Sequence, residues 1–84
     1  MGKIRKILLR FNSGNLQNTK FSEVKLILDA YGFTLARVSG SHHIYAHKHI
    51  TEIMNIQKVG NEAKPYQIRQ ILQLIEKYNL EHEE

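Results

Sequence analysis

Apolar residues recur along this chain with two different periods, and the change between them divides it into helical and extended parts. Ile4, Ile7, Leu8 and Phe11 fall at i, i+3, i+4 and i+7, the stripe of a short amphipathic helix. Asn12-Ser13-Gly14-Asn15 ends it, with Gly14 suited to a left-handed C-terminal position, and residues 15–19 read as a loop. Phe21, Val24, Ile27, Leu28 and Tyr31 form a second stripe, with Thr19 or Ser22 as candidate N-caps and Gly32 as the stop. From Phe33 the period falls to two. Phe33 and Leu35 lie on one strand face, Thr34 and Ala36 on the other, and Arg37-Val38 completes the strand. Ser39-Gly40-Ser41 is the predicted turn and residues 42–47 the returning strand. Alternation there puts Ile44 and Ala46 with His42, and Tyr45 and His47 with His43. A third strand is predicted over 51–57, with Met54 and Ile56 inward and Ile53, Asn55 and Gln57 opposite. After a loop at 59–64, Pro65 opens a last helix, where its missing N–H costs nothing. Ile68, Ile71, Leu72, Ile75 and Tyr78 are its expected buried stripe.

The predicted order is therefore one extra helix followed by α-β-β-β-α. Burial works for such a set only if both core helices cover one face of a three-stranded antiparallel sheet. The expected class is α+β, with the layout of a double-stranded-RNA-binding domain preceded by an additional N-terminal helix. Residues 1–19 are expected to form that basic amphipathic helix and its loop, 20–80 the domain, and 81–84 an acidic tail in which His82 is solvated.

Composition narrows the class further. Eighty-four residues suffice for one core, and 42% hydrophobic with 24% charged residues is ordinary for a folded domain. No apolar run approaches the roughly 20 residues of a membrane span. The chain has no cysteine, which excludes disulfides and thiolate metal sites and is compatible with a cytoplasmic location. Of the formal charge of +4, residues 1–20 contribute +5 through Lys3, Arg5, Lys6, Arg10 and Lys20, and residues 21–80 contribute +2. That balance is compatible with a polyanionic partner.

Candidate chemistry concentrates at Gly40-Ser41-His42-His43, a small-residue turn that delivers two histidines onto a strand. Histidine takes and gives protons near neutral pH. Cleavage of RNA by its own 2′-hydroxyl requires a base, an acid and a positive charge near the phosphate, with no external nucleophile. His42 is the candidate catalytic residue, with Gly40 and Ser41 supporting its approach. His43 is the second histidine candidate, although strand alternation sends it to the opposite face. Arg37, Lys48, Lys58, Lys64 and Arg69 could follow a phosphate backbone, and Tyr45 or Tyr66 could stack on an unpaired base. His43, His47 and His49 also alternate as zinc ligands would, but no Asp, Glu or Cys lies within that run, and no metal is expected.

Taken together, Gly32-Phe33, Arg37, the run Gly40-Ser41-His42-His43-Ile44-Tyr45 and His47 resemble the HicA-type toxins, the mRNA interferase half of bacterial or archaeal toxin–antitoxin pairs. The likeness spans Phe21 to Leu80, and residues 1–20 resemble the N-terminal extension of a longer subgroup. It implies a toxin that cleaves RNA without a cofactor, with His42 in the place of the family's catalytic histidine. It also implies a HicB-type antitoxin partner that covers this site. The chain departs from the shorter members at His47-Lys48-His49, at Asn55-Ile56-Gln57 and at Lys64-Pro65-Tyr66-Gln67. A non-catalytic RNA-binding module and an antitoxin-binding protein on the same fold are the alternative readings, and a homodimer is compatible with each.

Overall fold

Each of the three helical stripes and three extended segments becomes one element in the computed structural model, which describes residues 2–82. In chain order these are α1 (Lys3–Asn12), α2 (Phe21–Ala30), β1 (Thr34–Ser39), β2 (His42–Ala46), β3 (Met54–Gln57) and α3 (Pro65–Lys77). The strands form one antiparallel sheet in the order β1-β2-β3. The class is α+β, with the double-stranded-RNA-binding-domain-like order expected. Glu83 and Glu84 of the expected acidic tail lie outside the described residues.

Tyr45, Met54 and Ile56 turn inward from β2 and β3 to meet Val24, Ile27 and Leu28 of α2 and Ile68, Ile71 and Leu74 of α3. Ile4, Ile7 and Phe11 of α1 belong to the same cluster, so the N-terminal helix is part of the core and packs on α2. The opposite sheet face carries His42, Ile44 and Asn55, and no helix of the described residues lies over it.

Several local expectations need correction. Neither Thr19 nor Ser22 caps α2. The N-cap is Lys20, and Glu23 Oε1 accepts its backbone N–H at 3.0 Å. Thr19 instead is fully buried and donates its hydroxyl to the Leu16 carbonyl at 3.0 Å. The register of β1 against β2 shifts between Leu35 and Arg37, a β-bulge that breaks the expected alternation. Leu35 and Val38 thereby oppose Tyr45 and His43, while Arg37 opposes Ile44 on the open face. Leu35 is not buried with Phe33, because β1 is an edge strand beyond the helices' cover. The strand β3 spans 54–57 and not 51–57. His82 is not solvated but partly buried, its ring edge-on to Tyr31 at 5.2 Å.

The buried face of α3 is also rotated from the expected stripe. Gln67 and Leu74 are buried with Ile68 and Ile71, whereas Leu72, Ile75 and Tyr78 are only partly so. The cause is Gln67, only 5% exposed, whose side-chain amide pairs with the outer edge of β3. Its Oε1 accepts the Gln57 N–H at 2.9 Å, and its Nε2 donates to the Asn55 carbonyl at 2.8 Å. One side chain thus does for β3 what a neighbouring strand would do.

Glu23 ties α1 to this frame. Besides capping α2, it accepts two hydrogen bonds from the Arg10 guanidinium, at 2.9 and 3.1 Å. Those bonds hold its carboxyl below the usual carboxylate range, against the opposing effect of partial burial.

Two stability measurements test these contacts. Replacing Gln67 by Leu keeps the bulk but leaves the Gln57 N–H and Asn55 carbonyl unpaired, and should lower the unfolding free energy in urea by about 2 kcal/mol. A change under about 0.5 kcal/mol, the range of ordinary surface substitutions, would mean that the bridge contributes nothing. Glu23, lowered in the folded state, contributes stability that is present at neutral pH and lost as pH falls from about 4.5 through its folded-state value. The stability difference between the parent and Glu23→Gln should accordingly shrink on acidification over that range, and a pH-independent difference would refute the assignment.

Candidate functional site

The loop between β1 and β2 is two residues long, with Ser39 paired to His42 across it. Gly40 has φ +60°, while Ser41 is not among the positive-φ residues, the backbone pattern of a type II′ hairpin turn. A side chain at Gly40 would meet no atom within 4 Å, so backbone conformation and not space calls for glycine there. The turn is fastened to the sheet by the Lys58 N–H, which donates to the Ser41 carbonyl at 2.8 Å. His42 is therefore the first residue of the central strand, exposed, and flanked by Ser39 and Gln57 in register.

Its ring is held on one side only. His42 Nδ1 lies 3.0 Å from Asn55 Oδ1, an oxygen that can only accept. That bond places the imidazole proton on Nδ1 and leaves the Nε2 lone pair free. Arg37, opposite Ile44 on the same face, stands diagonally from His42 at a spacing of about 7–8 Å that a long side chain can cross.

The other histidines have different work. His43 points to the helix-covered face, where its ring packs on Phe21 at 4.6 Å and its Nδ1 donates to the Ser41 carbonyl at 3.2 Å. The two adjacent imidazoles do not share a site. His47 Nδ1 accepts the His49 N–H at 3.1 Å, so its proton sits on Nε2 and goes to the Tyr31 carbonyl at 3.0 Å. Gly32, at φ +89°, lies against this ring: a Cβ there would come within 3.2 Å of Nε2. His47 thus fastens the corner between α2 and β1. Among the described residues no group of three His, Cys, Asp or Glu side chains is placed to hold a metal ion.

A groove of about 660 Å³ runs from His42 along the outer edge of β3, with α3 as its other wall. Tyr66, Gln70, Gln73 and Lys77 fall at i, i+4, i+7 and i+11 on one stripe of α3 and line it, opposite Asn55, Gln57 and Ile53. Its far end is closed by Glu52, which accepts hydrogen bonds from the Tyr78 hydroxyl and from Lys77 Nζ, the latter at 3.2 Å. Tyr78 above all, and Lys77 after it, hold the Glu52 carboxyl below the usual range, while Tyr78 is itself pushed up by that contact. Glu52 lies on the segment leading into β3, at the opposite end of that strand from Gln57, the cross-strand partner of His42.

The expected nucleic-acid contacts divide accordingly. Tyr66, 48% exposed, lies in the groove with His42. Tyr45 does not stand on the surface: it is 1% exposed inside the core, with neither ring face open to a base, and its buried hydroxyl is pushed up by desolvation. Lys48 lies in the turn after β2, at the opposite end of that strand from His42. Lys64 caps α3 beside a smaller hollow formed with Gln17, Asn18 and Glu62. Arg69 sits on the solvent side of the groove-lining stripe, and Lys58 extends over the Phe21 ring. Arg37 is the basic residue that the sheet register brings to the His42 face.

Asn55 and the glutamines of the groove were not anticipated from sequence. The signal for Asn55 was present, since antiparallel pairing of residues 42–45 with 54–57 puts it on the His42 face.

An α+β domain with a solvent-facing histidine on the uncovered face of its sheet, at the mouth of a groove lined by both apolar and amide side chains, is the class that fold and site define. A family model described as the HicA toxin of bacterial toxin–antitoxin systems matches residues 21–76, two thirds of the chain. The chain belongs to the HicA toxin family. The match begins with α2 and ends within α3, leaving α1 outside it. No curated protein and no solved structure matches the chain.

The His42 tautomer is directly measurable. Long-range proton–nitrogen correlation spectra above the imidazole titration should show His42 protonated at Nδ1, and Asn55→Ala should shift the proton toward Nε2. An Nε2-protonated ring in the parent would contradict the Asn55 contact.

Proposed function

We propose that this chain is the ribonuclease half of a toxin–antitoxin pair and cuts RNA through His42 without a metal ion. The observation that carries the reading is the His42–Asn55 pair on the open sheet face, in a chain of the HicA toxin family. With Nδ1–H engaged, Nε2 faces outward as a base. It takes the proton of a ribose 2′-hydroxyl, and that oxygen attacks the adjacent phosphorus. The bond to the 5′-oxygen breaks, and the departing oxygen takes a proton from solvent, to which this face is open. The products are a 2′,3′-cyclic phosphate and a 5′-hydroxyl end. In this reading Arg37, on the same sheet face, neutralises the phosphate, and Asn55 positions His42. Such a reaction takes place in the cytoplasm. The partner is an antitoxin of the HicB type that covers the uncovered sheet face around His42. The reaction needs one copy of the chain only.

Expression of the parent should arrest growth, and His42→Ala should abolish the arrest with the fold intact. In vitro that substitution should reduce cleavage by about 10²–10⁴-fold, the contribution of a general base. Chelator should leave cleavage by the parent unchanged. Asn55→Ala should cause a smaller loss, and Asn55→Asp should move the acidic limb of the pH–rate profile upward, because a carboxylate favours the imidazolium. Undiminished toxicity of His42→Ala would eliminate the assignment. RNA binding without cleavage by the parent would favour the non-catalytic alternative.

A further inference from the structure

We infer that the groove between β3 and α3 binds an unpaired base of single-stranded RNA next to the scissile phosphate. The inference rests on the proposed reaction at His42 and adds how the substrate is chosen.

Three properties of the groove point to a base and away from a phosphate backbone. The first is its charge. Apart from His42, the charged groups lining it are Glu52 and Lys77, which neutralise each other at 3.2 Å. A phosphate pushed toward the Glu52 end would gain no net attraction, whereas Arg37 offers one outside the groove, on the open sheet face. The second is its hydrogen-bonding chemistry. Gln57, Gln70 and Gln73 present side-chain amides, each of which both donates and accepts, as the edge of a nucleobase does. The third is Tyr66, a half-exposed aromatic ring at the His42 end, because Gln67 beside it is fastened to Asn55 and Gln57. A π-face there can stack on a base, which every unpaired base permits and a paired one does not.

The same geometry disfavours an extended polypeptide as occupant. A protein strand would add to β3 through the Gln57 N–H and the Asn55 carbonyl, and Gln67 already takes both. At 660 Å³ the groove falls within the range of small-molecule sites and holds a nucleotide. The strand would then pass His42 with its phosphate toward Arg37 and its base between Tyr66 and the amides.

The test uses the full chain carrying His42→Ala, so that RNA is not consumed, and fluorescence anisotropy with short labelled oligo(A), oligo(C) and oligo(U). Tyr66→Ala should weaken binding about tenfold or more, and Tyr66→Phe should restore it. Gln70→Ala should narrow the affinity differences among the three oligonucleotides. Neither should change the salt dependence, whereas Arg37→Ala should reduce its slope by about one. A duplex of the same length should compete poorly. Equal binding by Tyr66→Ala, equal competition by duplex, or no binding of any single strand would overturn the inference. Cleavage that depends on His42 while binding ignores Tyr66 would remove the groove proposal alone. Tyr66-dependent binding by a parent that never cleaves would remove the catalytic reading and keep the groove.

Discussion

The amide of Gln67 is the contact on which the arrangement around His42 depends. A three-stranded sheet leaves β3 with an unpaired edge, and such an edge invites another strand. Gln67 closes it from the buried side of α3, taking the Gln57 N–H and the Asn55 carbonyl. These two residues are also the neighbours of His42: Gln57 is its cross-strand partner and Asn55 holds its ring. One helix side chain therefore sets the height of α3 against β3 and the backbone that positions the imidazole. Leaving either backbone group unpaired would cost about 1–3 kcal/mol, a large share of a small domain's stability.

The two faces of the central strand are assigned by what covers them. His43, Tyr45 and His47 lie on the helix-covered side, His43 and His47 bonded to backbone carbonyls and Tyr45 buried in the core. His42, Ile44 and Ala46 face outward, where no helix of the described residues lies. The bulge in β1 then decides which cation joins them. With uninterrupted alternation from Leu35, Arg37 would have lain on the helix-covered side, and the extra residue returns it to the His42 face. A single inserted residue in an edge strand thus brings the Arg37 cation to the face that presents His42.

Periodicity made the helices, the hairpin and the opposite orientation of His42 and His43 legible, because those follow from spacing alone. The bulge and the burial of Gln67 were not, because each depends on a partner distant in sequence. The α2 cap is local, but its N-cap is a lysine, a residue type that does not mark helix starts, and the reciprocal bond comes from Glu23. Tyr45 shows the difference most plainly. Alternation placed it opposite His42, yet which face the helices cover is a packing outcome, and burial takes the ring off the exposed surface. For His42 the chain carried the turn, the strand and the family likeness. Its hydrogen-bond partner came only with the register of β2 against β3.

The basic N-terminus takes a different meaning once α1 is seen in place. Read as a charge count, residues 1–20 resemble an arm for polyanions. In the fold, Arg10 is engaged by Glu23 and Thr19, and Ile4, Ile7 and Phe11 are core residues. Packing thus accounts for the apolar stripe of α1 and for one of its bases, so the charge of this segment cannot be counted whole as an RNA-binding surface. Glu23 makes the link sharper, since the carboxylate that receives Arg10 also caps α2, the helix against which His43 and Tyr45 pack. The extra helix is in this way part of the support of the sheet that presents His42, although it lies outside the segment matched to the family.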